Sequence, residues 1–84
     1  MSFRVRIKAS ALKSLKKLER EDRRRVAHAI DRLAEEPHAG GVLKGEFGGL
    51  RRVRIGAYRV IYEVYESDLT VLAVRVAHRR EAYR

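Results

Sequence analysis

Residues 50–64, "LRRVRIGAYRVIYEV", constrain the fold more tightly than any other part of the chain. Apolar residues alternate with polar ones on both sides of Gly56 and Ala57, the pattern of two strands joined by a two-residue turn. Gly56 suits the positive φ that the first position of a type II′ turn requires. Such a turn sets the register: Ile55 opposite Tyr58, Arg54 opposite Arg59, Val53 opposite Val60 and Arg52 opposite Ile61. Side chains alternate between faces, so Val53, Ile55, Tyr58, Val60, Tyr62 and Val64 belong to the core and Arg52, Arg54 and Arg59 share the other face. Like charges opposite one another cost a sheet some tenths of a kcal/mol per pair. Three arginines therefore call for acidic partners, and Glu63 is the single acid that parity puts on their face. One reading is a solvated basic face tempered by Glu63. The other is a set of planar, two-pronged guanidinium donors awaiting phosphate.

A third strand follows through "ESD" (66–68). A three-residue loop keeps apolar residues together, with Leu72, Val74 and Val76 buried and Arg75 and Arg79 on the arginine face. Upstream, "FRVRIK" (3–8) alternates like a half-buried strand. In "SALKSLKKLE" (10–19), Leu12, Leu15 and Leu18 make a helical stripe, with Lys13, Lys16 and Lys17 off it. Asp22 is a candidate N-cap for a second helix, in which Val26, Ile30 and Leu33 repeat at i, i+4 and i+7 before Pro37. The glycine-rich connector "HAGGVLKGEFGGL" (38–50) lacks the spacing of a phosphate-cradling loop. The fold class is α+β: an N-terminal strand, a two-helix hairpin and a three-stranded antiparallel meander, with helices on one face of a single sheet. Residues 1–84 make one domain. The place of the first strand in the sheet does not follow from the pattern.

Twenty Lys and Arg against 11 Asp and Glu give a formal charge of +9 in 84 residues. That excess points to a polyanion, nucleic acid or an acidic protein. The absence of cysteine excludes disulfides and thiolate zinc sites. His28, His38 and His78 lie too far apart for a ligand spacing, so neither metal nor cofactor is expected. No apolar run has the length of a signal peptide or a membrane span, and the expectation is a soluble cytoplasmic protein. The helix cations Lys13, Lys16, Lys17, Arg20, Arg23, Arg24 and Arg25 suit either solvent or a long polyanion such as ribosomal RNA.

At the C-terminus, "VAHRREAYR" (76–84) gathers His78, Arg79, Arg80 and Tyr83. Arginines hold phosphate, while a histidine or tyrosine can move protons or stack on a base. The structural alternatives are a strand-end histidine satisfied by backbone and a tyrosine that anchors the chain end on the sheet.

"ALKSLKKLE", "LAEEP", "LKGEFGGLRRVRIGAYRVIYEV" and "VRVAHRREAYR", in this order from about Phe3 to Arg84, resemble the RelE/ParE superfamily of toxins. The most specific parts are "LRRVRIGAYRVIYEV" and "AHRREAYR". The chain is more similar to the RelE branch, which cuts messenger RNA in the ribosomal A site without a metal, than to the gyrase-poisoning ParE branch. The resemblance places the family's two second-strand basic residues at Arg52 and Arg54, the arginine of its Tyr-Arg pair at Arg59, its C-terminal arginine at Arg79 or Arg80, and its terminal tyrosine at Tyr83. It implies an endoribonuclease that uses the RNA 2′-hydroxyl as nucleophile. Arg59, Arg79, Tyr83 and His78 would be catalytic, and Arg52, Arg54, Arg75 and Arg80 would bind RNA. Its partners would be a cognate acidic antitoxin and messenger RNA on the ribosome. Two alternatives stay open: a gyrase inhibitor of the ParE type, and a non-catalytic RNA-binding module. Well-known RelE members carry lysine where Arg52 and Arg54 stand. Arginine keeps its proton, which leaves three outcomes: proton transfer by Tyr83 or His78, slow cleavage, or binding alone.

Overall fold

The turn at Gly56 and Ala57 forms as the alternation requires. In a computed structural model describing residues 2–43, 50–78 and 80, Gly56 has φ 59°. The chain runs through β1 (Arg4–Ile7), α1 (Ala9–Lys16), α2 (Arg20–Arg32), β2 (Gly41–Val42), β3 (Leu50–Ile55), β4 (Tyr58–Tyr65) and β5 (Thr70–His78). The sheet order is β1-β5-β4-β3-β2. β3 and β4 pair in the register read from the sequence, Ile55 with Tyr58, Arg54 with Arg59, Val53 with Val60 and Arg52 with Ile61. β1 lies at one edge, parallel to β5, with Val5 beside Val71 and Ile7 beside Ala73. A parallel neighbour needs a crossover connection, and between β1 and the rest of the sheet the two helices supply it.

The second hairpin departs from expectation. Its loop has four residues, 66–69, because Tyr65 pairs with Thr70. Leu69 closes it at φ 47°, a conformation that costs a non-glycine residue about 1–2 kcal/mol. An even loop reverses the parity of the strand that follows, so Val71 and Ala73 are buried where Leu72 and Val74 were expected. A β-bulge then intervenes, since Ile61 pairs with Arg75 and Tyr62 with Ala73, leaving Val74 as the extra residue. The bulge flips parity back. Val76 returns to the core at 4% exposure, and Arg75 returns to the face of Ile61.

The core joins Ala11 and Leu15 of α1 and Val26 and Ile30 of α2 to Val60, Ala73 and Val76. Leu33 packs instead with Tyr62 and Val71. The inward stripe of α1 is Ala11 and Leu15; Leu12, expected inside, is 37% exposed. A small residue at the contact lets the helix approach β5 closely. Asp22 does not cap α2, whose N-cap is Glu19. It stands one turn in, where its charge complements the helix dipole and Tyr58 Oη donates to it at 3.4 Å.

The stretch that follows α2 is pinned by a fully buried phenol. Tyr62 Oη donates to Pro37 O and accepts from Gly40 N, each at 2.9 Å. A Cβ on Gly40 would stand 2.6 Å from Arg52 O and 2.7 Å from Tyr62 Oη, so only glycine fits there. Arg51 Nη1 donates to Gly40 O at 2.7 Å. From this anchor β2, a two-residue edge strand too short for any periodicity, pairs with β3. Burial raises the Tyr62 phenol above its ordinary value of 10.0, against the lowering effects of the Gly40 N–H and the Arg51 charge.

Tyr62→Phe leaves the buried Gly40 N–H and Pro37 carbonyl without the hydroxyl, and should cost about 1–3 kcal/mol in denaturant unfolding. A phenol whose pKa is higher in the folded state adds stability that is complete below the unfolded value and lost as pH rises through the folded one. Wild-type stability should therefore fall above pH 10.0, and fall less steeply in Tyr62→Phe. Equal slopes would disconnect Tyr62 from the alkaline transition.

Candidate nucleic-acid interface

With the helices on one face, the other face of the sheet is left to charge. Arg54 and Arg59 are directly paired, and Arg52 pairs with Ile61, which pairs in turn with Arg75. Arg54 and Arg75 are exposed, and Arg52 and Arg59 are half-buried. The ion pairs among the described residues, Arg24 with Glu21, Arg32 with Glu36 and His38 with Glu66, all lie away from Arg52, Arg54 and Arg75. Glu63 does fall on the arginine face, paired with Leu50 and Leu72, and after desolvation its carboxylate is the second cause that raises the Tyr65 phenol.

Arg75 sits at a margin. Beyond Ile7, β5 has no β1 beside it, and there Arg75 also borders a cavity of about 300 Å³ with Ser10 and Ser14 of α1. The register places His78 opposite Tyr58, on the helix-bearing face. The two rings meet edge to face with centroids 5.3 Å apart, and His78 Nδ1 accepts the Arg80 backbone N–H at 3.2 Å. Arg80 is exposed. Arg79 and Tyr83 lie outside the described residues. β5 itself ends at His78 beside the Gly56 turn, one pair beyond the row of Arg54, Arg59 and Ala77.

Two further cations were missed. Arg4 and Arg6 pair with Thr70 and Leu72 and so join the arginine face. The alternation of "FRVRIK" had put both on a polar side; what it lacked was the strand's neighbour. Arg51 is the reverse case: the same "RR" sends it to the helix face, where it holds the connector.

The sequence model described as "ParE toxin of type II toxin-antitoxin system, parDE" matches residues 5–83. The chain belongs to the RelE/ParE superfamily. It is therefore a toxin of a type II toxin–antitoxin system. Toxin RelG of Mycobacterium tuberculosis is 34% identical over 86 residues, spanning 100% of this chain and 99% of RelG. Among solved structures, the toxin–antitoxin complex RelBE2 of M. tuberculosis superposes at a TM-score of 0.88 with 31% identity, over 94% of this chain and 100% of that one. The archaeal RelE–RelB complex of Pyrococcus horikoshii gives 0.77 and 34%, over 94% and 97%.

Arg54→Thr removes one partner of the like-charged pair. The RNA-free domain should be as stable as wild type or more so by some tenths of a kcal/mol. Affinity for single-stranded RNA should drop, and its log–log salt slope should shrink by about 0.7. A loss of several kcal/mol on denaturant unfolding would make Arg54 structural.

Proposed function

We propose that this toxin is a ribosome-dependent, metal-independent endoribonuclease acting on messenger RNA. The observation that carries this reading is the gathering of Arg52, Arg54 and Arg59 on the face of the sheet opposite α1 and α2, beside the end of β5. The RNA supplies the nucleophile. Its 2′-oxygen loses a proton and attacks the adjacent phosphorus, the bond to the 5′-oxygen breaks, and that oxygen takes up a proton. The products are a 2′,3′-cyclic phosphate and a 5′-hydroxyl.

Arg59 and Arg79 stabilise charge on the phosphate, the largest service that fixed donors render in a site shielded from water. Arg52 and Arg54 clamp the RNA backbone, flanked by Arg75 and Arg80. Tyr83 moves a proton or stacks on a base. General acid–base help of that kind contributes about 10²–10⁴ in rate. His78 is the alternative proton carrier, and its place on the helix-bearing face makes Tyr83 the stronger candidate. The controlling partner is an acidic antitoxin, in line with the RelB-type complexes of the mycobacterial and archaeal relatives, and the site of action is the cytoplasmic ribosome.

A gyrase-directed activity is the second reading, favoured by the ParE description of the matching family model. Single-turnover cleavage on programmed ribosomes separates the two. The wild type should cut message in the A site. Tyr83→Phe should lose on the order of 10²-fold if the hydroxyl moves a proton, and stay near wild type if the ring only stacks. Full activity after deletion of Tyr83 and Arg84 would remove Tyr83 from the site and shift proton transfer to His78. Absence of ribosomal cleavage together with inhibited gyrase would overturn the nuclease reading.

A further inference from the structure

On the arginine face, at the end of β4 away from the Gly56 turn, lies an open cleft of about 500 Å³ lined by Arg4, Arg6, Tyr65, Asp68, Thr70 and Leu72. We infer that this cleft is a second RNA subsite, which takes the phosphate of one nucleotide on Arg4 and Arg6 and stacks its base on Tyr65. The inference rests on the RNA reading above and extends it from a single phosphate to a track along the sheet.

The register builds the track. One row across the face holds Arg4, Thr70 and Tyr65, and the next holds Arg6, Leu72 and Glu63. Further along come Ile61 with Arg52 and then Arg54 with Arg59. From Arg59 to Tyr65 is six residues of β4, about 20 Å, the length of a short single strand rather than of one nucleotide. Basic side chains at both ends, with an aromatic ring at one, make the combination that holds single-stranded nucleic acid without sequence readout.

Each member suits its part. Arg4 and Arg6 are exposed on the edge strand and take part in none of the ion pairs among the described residues. Tyr65 keeps 39% of its surface exposed, which no core contact requires. Desolvation and the Glu63 carboxylate hold its phenol above the ordinary value, so it stays neutral beside a phosphate. The Thr70 hydroxyl donates to Asp68 O at 3.0 Å. The Asp68 carboxylate at the rim repels phosphate, which fixes the phosphate on the guanidiniums and turns the base edge towards Asp68. That carboxylate and the flat exposed ring favour a nucleotide over an acidic peptide, and continuity with Arg52, Arg54 and Arg59 favours the same strand of RNA.

Fluorescence anisotropy with a non-cleavable dinucleotide and octanucleotide tests the subsite in the full-length chain. Wild type should bind the octanucleotide at least tenfold more tightly. Tyr65→Ala should remove about tenfold of that advantage, and Tyr65→Phe should keep it. The double variant Arg4→Ser/Arg6→Ser should lower the octanucleotide salt slope by about 1.4. Dinucleotide affinity and the denaturant midpoint should stay at wild-type values. Octanucleotide binding unchanged in all three variants would overturn the subsite while leaving the nuclease reading standing. Variants that bind both RNAs normally but lose affinity for poly-glutamate would overturn it in favour of a protein-docking cleft. Wild type that binds neither RNA and cuts no ribosome-bound message would overturn both.

Discussion

Two guanidiniums held opposite one another on adjacent strands, Arg54 and Arg59, are the constraint from which the rest of the molecule can be understood. Like charges opposite one another work against a sheet, and the tight turn at Gly56 leaves this pair no other register. A one-residue slip of β3 would turn Arg52 and Arg54 towards α1 and α2 and expose Val53. The burial of Val60 and Tyr62 likewise drives Arg59 outward, at a cost small beside the apolar surface it secures. A residue choice that works against its own fold is most economically explained by what the fold must bind.

Among the described residues, the supporting structure lies on the side of the sheet opposite this face. Both helices and the core clusters lie on the other side of the sheet, and residues 37–40 after α2 are held there by Tyr62 and Arg51. Burial of the Tyr62 hydroxyl is tolerated because both of its hydrogen-bonding roles are filled. The bulge at Val74 serves the same end from β5. Without it the four-residue loop would put Val76 on the arginine face and Arg75 under the helices.

The first hairpin was legible because a two-residue turn leaves a single register, and the apolar alternation on its two arms agrees with it. α2 was legible for a similar reason, three long apolar residues at one helical spacing. The second hairpin was misread because loop parity and a bulge compensate one another, and no residue between Glu66 and Val76 announces either. Leu69 is the sharpest example: nothing in a leucine signals a positive φ. On α1, Leu12 had the hydrophobicity but Ala11 had the position, a choice made by how closely the helix approaches β5. Of the site, Arg52, Arg54 and Arg59 followed from parity and Arg75 from a parity count that erred twice. Arg4 and Arg6 could not be assigned until β5 was known to be the neighbour of β1. The turn after β5 shows His78 accepting the Arg80 N–H, a contact that no spacing rule foretells.

If this toxin binds RNA as proposed, the face of the sheet opposite α1 and α2, rather than the basic surfaces of the two helices, receives the phosphates. Side-chain NMR of the arginine Nε–Hε groups, followed during titration with a short non-cleavable single-stranded RNA, reads this directly. The account predicts the largest shifts at Arg52, Arg54 and Arg59, with Arg20, Arg23 and Arg24 on α2 near their free positions. Shifts concentrated on the α2 arginines, with the sheet arginines unmoved, would contradict it.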